Sequence, residues 1–239
     1  MAGGRSEAAG LFGRPAYARA MWTKICGLTD PENAAEVCAV PGVAAVGLNF
    51  WKKSKRFVSQ RAAVEVREAV PTRVEPVGLF VNETAKTVRY VCERLDLFSV
   101  QLHGTEPPSL VKELAPLRVI RAIRVPRGQV ADAVNMTLEA IGAVGNLDAV
   151  LLDAASDRGL GGTGETLDWA EVGACDRSGW PRVILAGGLT PENAAEAVRL
   201  AKPDGVDAAS GVESEPGVKD AGRVRGLVEA AGGPAAGRA

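Results

Sequence analysis

Eight short runs rich in β-branched and aliphatic residues recur along this chain, and each is followed by a stretch of helical pattern or a helical turn. That alternation constrains the fold strongly. Strands that alternate regularly with helices indicate parallel βα units, whose crossover helices cover the face of the sheet. The predicted strands are WTKIC (22–26), VAAVGLNF (43–50), VEPVGLFV (74–81), LFSVQLH (97–103), RVIRAIRV (118–125), DAVLLDA (148–154), RVILAG (182–187) and GVDAAS (205–210). Two of the intervening helices announce themselves with TDPENAAEVCAV and TPENAAEAVRL, where Thr, Asp or Pro followed by Glu marks a helix start. Eight such units account for nearly everything from 22 to 231, which predicts a single α/β domain, a (β/α)8 TIM barrel of eight parallel strands. A doubly wound open sheet is the competing architecture. It usually has fewer strands and one glycine-rich loop after the first, whereas the glycines here cluster after strands six, seven and eight.

The ends of the chain read differently. Residues 1–20 are small, polar and Gly/Ala-rich without an apolar period, and 232–239 are similar. The expectation is a disordered N-terminal extension, a barrel domain over 21–231 and a flexible C-terminal tail. The first twenty residues lack the continuous apolar core of a secretory signal, and no apolar run reaches the ~20 residues needed to span a bilayer. Lys plus Arg (28) and Asp plus Glu (29) nearly cancel, so no net field favours nucleic acid or an anionic membrane surface. Four cysteines without a CxxC pair and a single histidine form no recognisable metal cluster. A reduced, cytoplasmic protein is expected, with a monomer favoured.

In a barrel the chemistry belongs at the C-terminal strand ends and the loops that follow. Gly161, Gly162 and Gly164 follow strand six, Gly187 and Gly188 end strand seven, and Ser210 and Gly211 end strand eight. Each segment alone reads as a tight turn. Together, at neighbouring strand ends, they form a backbone cradle for an anion, and the expected ligand is a small phosphorylated molecule. Cys26 and Asp153 end strands one and six on inward faces, where a thiol and a carboxyl could act as general base and general acid. On its own a strand cysteine reads as a buried small hydrophobe, and Asp153 as a loop cap.

Lys24 shares the inward face with Cys26 and needs a partner inside a barrel. Strand eight closes beside strand one and carries Asp207, so a Lys24–Asp207 pair is expected, placing a cation near Cys26. His103 shares a strand face with Gln101 and is expected to support a neighbour by hydrogen bonding. The loop WKKSKRF (51–57) puts four cations beside two aromatics, which could grip an aromatic acid, although composition alone favours a solvated basic loop.

These segments together resemble the phosphoribosylanthranilate isomerase family, and the match is collinear over about residues 22–230. KICGLTDPENA (24–34) resembles the family's opening motif, and VGLNFWKKSKRF (46–57) its second strand and anthranilate-binding loop. VGLFVNE (77–83), VQLHGTE (100–106), LLDA (151–154), GGTGETLDW (161–169), ILAGGLTPENA (184–194) and GVDAASGVESEPGVKD (205–220) complete the set. The resemblance implies a cofactor-free Amadori rearrangement of N-(5-phosphoribosyl)anthranilate in tryptophan biosynthesis. It implies Asp153 as the acid, Cys26 as the base and Arg56 as the partner of the anthranilate carboxylate. Two departures stand out: Lys55 replaces the proline many members carry between Ser54 and Arg56, and Asn49 stands where an aliphatic residue is usual. The rival readings are an indoleglycerol-phosphate synthase-like or histidine-pathway isomerase-like barrel, or a non-catalytic phosphosugar-binding barrel. The first two use other acid–base sets, and a descendant without activity is expected to lose Cys26 or Asp153.

Overall fold

The structure, a computed structural model, describes residues 21–154 and 167–233. The predicted N-terminal extension, the end of the C-terminal tail and the glycines Gly161, Gly162 and Gly164 lie outside the described residues. Eight parallel strands close into a barrel in sequence order. They are β1 (Trp22–Cys26), β2 (Val43–Asn49), β3 (Glu75–Phe80), β4 (Ser99–Leu102), β5 (Arg118–Val125), β6 (Leu147–Ala154), β7 (Arg182–Leu185) and β8 (Gly205–Ala208). Helices α1 (Pro31–Ala39), α2 (Gln60–Ala69), α3 (Ala85–Leu95), α4 (Ser109–Glu113), α5 (Val130–Ile141), α6 (Trp169–Ala174), α7 (Ala194–Ala201) and α8 (Ala221–Ala230) follow the strands in turn. Between β8 and α8 lie a 3-10 turn (Ser210–Val212) and a two-stranded hairpin, β9 (Glu213–Glu215) and β10 (Val218–Lys219). The fold is the TIM barrel that the alternation predicts.

Strands β1 and β5 match their predicted bounds, while β3, β4, β7 and β8 end sooner than their apolar runs suggest. The reason is functional geometry: the last residues of those runs leave the ladder and turn over the barrel mouth. His103 still donates its N–H to Phe80 O at 2.9 Å, although it stands one residue past β4. The two PEN motifs also behave differently. Asp30 caps α1 by accepting the Asn33 N–H, so that helix starts at Pro31. In the second copy Asn193 folds back onto the Thr190 N–H and Gly188 O, and regular helix begins only at Ala194. Ser59, Thr84, Asp168 and Asp220 cap α2, α3, α6 and α8, each contributing about 1 kcal/mol.

Two apolar layers hold the barrel. The larger lies between strands and helices. There α3 buries Val88, Val91, Cys92 and Leu95, one stripe at helical spacing. Inside the barrel, Ala45, Val77, Ile120, Ala122, Ala149, Leu151, Ile184 and Ala186 pack together from β2, β3, β5, β6 and the β7 segment. A fully buried Val or Leu in either layer stabilises by roughly 1.5–3 kcal/mol. At the N-terminal end Trp22 lies under the Arg182 guanidinium, 5.4 Å from its ring centroid. A side chain at Gly205 would meet Trp22 within 3 Å, which is why that strand opens with glycine. The lower part of the barrel is thus a packed plug, and the upper end is left for polar groups. Among the described residues, no helix is long and apolar enough to cross a membrane.

Candidate active site

A pocket opens at the C-terminal end of the strands, where barrels carry their chemistry. Its wall takes residues from the ends of seven strands or the loops after them: Cys26, Asn49, Leu79, Gln101, His103, Asp153, the stretch 186–189 and the stretch 207–211. Cys26 and Asp153 therefore face one space from β1 and β6, as their alternation predicts. Gly187, Gly188, Ser210 and Gly211 form one side of it. Gly187 and Gly188 sit at φ 81° and 65°, backbone that favours glycine, and a side chain at Gly211 would run into Leu189 O. The backbone is therefore bare on that side. Among the described residues, no group of three or more His, Cys, Asp or Glu side chains is arranged to hold a metal ion.

Below the mouth, β1 and β8 pair so that Lys24 stands directly beside Asp207. Neighbours in a parallel ladder point to the same face, and here both point inward. Lys24 Nζ donates to Asp207 Oδ2 at 2.8 Å, with the lysine fully buried. Burial works to strip the lysine of its charge, but Asp207 and Cys26 outweigh it and hold its pKa above the ordinary value. The pair inferred from alternation is present.

Cys26 is also buried. Burial pushes its thiol above the ordinary range, Lys24 and Lys219 pull it down, and Asp207 pushes it up. The cation expected beside Cys26 is there and acts in the expected direction, but desolvation wins. On the far side, Gln101 Nε2 lies 2.8 Å from His103 Nδ1, and His103 Nε2 lies 3.5 Å from Asp153 Oδ2. Where Gln101 donates, the imidazole carries its proton on Nε2, and that N–H faces the Asp153 carboxyl. The loop beneath is pinned by Glu106. It accepts the N–H groups of Asn82 and Gly104 and pairs with Arg121 at 2.5 Å.

The basic loop after β2 sorts into two kinds of cation. Lys52, Lys53 and Lys55 are exposed, as a solvated loop would have them, while Arg56 lines the pocket. Asn49 and Ser54 shape this loop together. Asn49 Oδ1 accepts the Trp51 N–H at 2.9 Å, Asn49 Nδ2 donates to Ser54 Oγ at 3.2 Å, and Ser54 Oγ accepts the Arg56 N–H at 3.0 Å. The polar residue that departs from the aliphatic pattern at position 49 thus organises the segment leading to Arg56.

Two charged residues bound to the site escape the sequence reading, Glu213 and Lys219, and both stand on the β9–β10 hairpin. Glu213 receives Arg56 Nε at 2.6 Å and Nη2 at 2.7 Å. It also receives Lys219 Nζ at 2.7 Å, and Lys219 donates in addition to Ala209 O at 3.2 Å. Burial pushes the Glu213 carboxyl up, but the bonds from Arg56 and Lys219 outweigh it and hold the group below the usual carboxylate range. Asn33 of α1 clamps the hairpin by exchanging 2.8 Å hydrogen bonds with the Lys219 backbone. The signal available in the sequence was Pro216-Gly217 between short alternating runs, a turn signature.

Comparison with known proteins gives this geometry a family. The family model described as N-(5'phosphoribosyl)anthranilate (PRA) isomerase matches residues 23–230. The N-(5'-phosphoribosyl)anthranilate isomerase of Myxococcus xanthus is 41% identical over 208 residues, covering 87% of this chain and 94% of the relative. That of Geobacter sulfurreducens is 41% identical over 210 residues, covering 88% and 98%. The crystal structure of phosphoribosyl anthranilate isomerase from Thermotoga maritima superposes with a TM-score of 0.78 at 34% identity, covering 89% and 98%. A phosphoribosyl anthranilate isomerase solved in complex with reduced 1-(o-carboxyphenylamino)-1-deoxyribulose 5-phosphate matches with a TM-score of 0.75 at 33% identity, over 89% and 98% of the two chains. A barrel that matches over its whole length, with collinear motifs, belongs to the N-(5'-phosphoribosyl)anthranilate isomerase family.

Proposed function

We propose that this chain catalyses the Amadori rearrangement of N-(5-phosphoribosyl)anthranilate to 1-(2-carboxyphenylamino)-1-deoxyribulose 5-phosphate, a step of tryptophan biosynthesis. The observation that carries the reading is that Cys26, Asp153, Arg56 and the bare glycine backbone at 187–188 and 211 all line one pocket. A substrate that carries both a carboxylate and a phosphate would use both the arginine and the bare backbone. The ligand of the solved relative carries both groups.

In this reading Asp153, as a carboxylic acid, gives its proton to the furanose ring oxygen. The C1'–O bond breaks and the nitrogen lone pair forms the Schiff base. Cys26, as thiolate, then takes the proton from C2', and the electrons move into the enolamine. Return of a proton to C1' and loss of the C2' hydroxyl proton give the ketone. Each transfer supplies about 10²–10⁴-fold. The proton transfers balance, and C1' is reduced as C2' is oxidised within one molecule, so the steps need no external oxidant or reductant.

The phosphate lies against Gly187, Gly188, Ser210 and Gly211, with Gly161, Gly162 and Gly164 proposed as further partners. Arg56 holds the anthranilate carboxylate. Lys24 and Asp207 support Cys26 from below, and His103 supports Asp153. The test is to replace the two groups singly: Cys26→Ala and Asp153→Asn are each expected to lower turnover at least ~10²-fold while a reduced product analogue still binds. Near-normal turnover in either variant removes that residue from its role.

A further inference from the structure

Arg56 is fixed at three places. Its backbone N–H is held by Ser54 Oγ, its guanidinium by Glu213, and its aliphatic stem lies over Gly27, where an added Cβ would come within 2.5 Å of Arg56 Cδ. Gly27 stands at φ 86°, so it serves both the turn and the stem. The grip of Glu213 is directional. It takes Nε and Nη2, the side edge of the fork, and among the described residues Nη1 has no partner. The end edge, Nη1 with the second Nη2 proton, is left for a ligand. Glu213 is itself locked, since Lys219 is buried and its backbone is tied to α1 through Asn33.

We propose that Glu213 is a positioning residue that sets where on an aromatic ring the substrate's carboxylate must stand. This rests on the reading that Arg56 receives that carboxylate. A guanidinium free to swing can follow a carboxylate to several positions at a modest entropic cost, whereas a clamped one offers a single edge in a single plane. Moving the carboxylate from the ortho to the meta position carries it off that edge, and charged hydrogen bonds weaken steeply once misaligned. Glu213 also offsets the cations around it, so removing its charge strengthens attraction for any carboxylate. Ortho and meta isomers carry equal charge. The change in their affinity ratio from wild type to variant therefore reports placement and not net charge.

The experiment uses three probes made by reducing the ribulose 5-phosphate adducts of 2-aminobenzoate, 3-aminobenzoate and aniline. Their dissociation constants are measured by calorimetry on the full chain, Glu213→Gln, Glu213→Asp and Arg56→Ala. The wild type is expected to prefer the ortho over the meta probe by at least ~10-fold, the scale of one charged hydrogen bond. Both Glu213 variants are expected to flatten that ratio to within ~3-fold while binding the aniline probe about as the wild type does. Glu213→Asp keeps the charge and withdraws the carboxylate by one methylene, so flattening there cannot come from a lost charge, and it decides the matter should Glu213→Gln not fold. A ratio retained in both variants overturns the proposal, and so does equal weakening of all three probes or a wild type without ortho preference. Arg56→Ala is expected to bind ortho and aniline probes alike. If it keeps the wild-type difference between them, the reading of Arg56 fails on its own, whatever Glu213 does.

Discussion

Replacing Lys24 with Met tests the buried pair that underlies the site. The lysine is fully buried and its ammonium lies 2.8 Å from Asp207 Oδ2. Methionine fills much of the same volume, so the packing loss is small and the effect isolates the charge. What remains is a buried carboxylate stripped of its cation; Asp207 Oδ1 already lacks a protein partner among the described residues. Breaking a buried pair in this way costs about 3–5 kcal/mol. For a chain of this size each kcal/mol lowers Tm by roughly 2–4 °C, so the fall should be on the order of 6–20 °C at pH 7. The sign with pH follows from Asp207. Without Lys24 its folded pKa stands further above the unfolded value, so the folded state favours the neutral acid. The loss should therefore shrink toward acid, below the unfolded pKa, and grow as pH rises through the folded one. Denaturant and thermal unfolding followed by tryptophan fluorescence read both effects. The double variant Lys24→Met/Asp207→Leu should recover most of the loss, because an apolar pair leaves no charge behind. A fall below ~1 kcal/mol in the single variant is the range of an exposed pair and would refute the reasoning.

Arg56→Ala should raise KM more than it lowers kcat, since its carboxylate contact exists in both ground and transition states, and an unchanged KM would return Arg56 to a structural role. His103→Asn should keep at least about a tenth of the activity, because the histidine reaches Asp153 at 3.5 Å as a supporting neighbour; complete loss would make it a proton-transfer group. The alkylation rate of Cys26, located by mass spectrometry, should rise with pH through and beyond the ordinary thiol range, because burial pushes the thiol up and only the thiolate reacts. Lys219→Met removes a cation that lowers that pKa and should move the rising limb to higher pH, so a limb that stays in place would contradict the electrostatic account.

The barrel was legible because parallel strands buried on both faces leave nearly continuous apolar runs, and eight of them separated by helices admit few alternatives. The site was legible wherever a residue lies on a strand, since period-two alternation fixes its face; that is how Lys24, Cys26, Asp207 and Asp153 come together on paper. Loops carry no such period. Nothing in the local pattern of 51–57 separates Arg56 from Lys52, Lys53 and Lys55, and the separation comes from Glu213, 157 residues away. Glu213 and Lys219 lie in a hairpin whose strands are three and two residues long, too short for any periodicity to register. Asn49 was visible only as a departure from a pattern, and its hydrogen bonds to Trp51 and Ser54 give that departure a physical reason.

N-(5-phosphoribosyl)anthranilate can be formed in situ from anthranilate and the activated phosphoribose, and its fluorescence followed as the purified chain is added. The account predicts loss of fluorescence in proportion to the amount of chain added, at least ~10²-fold faster than without it. The product should chromatograph as 1-(2-carboxyphenylamino)-1-deoxyribulose 5-phosphate. Decay at the uncatalysed rate, or decay that returns free anthranilate in place of the ketose, would contradict it.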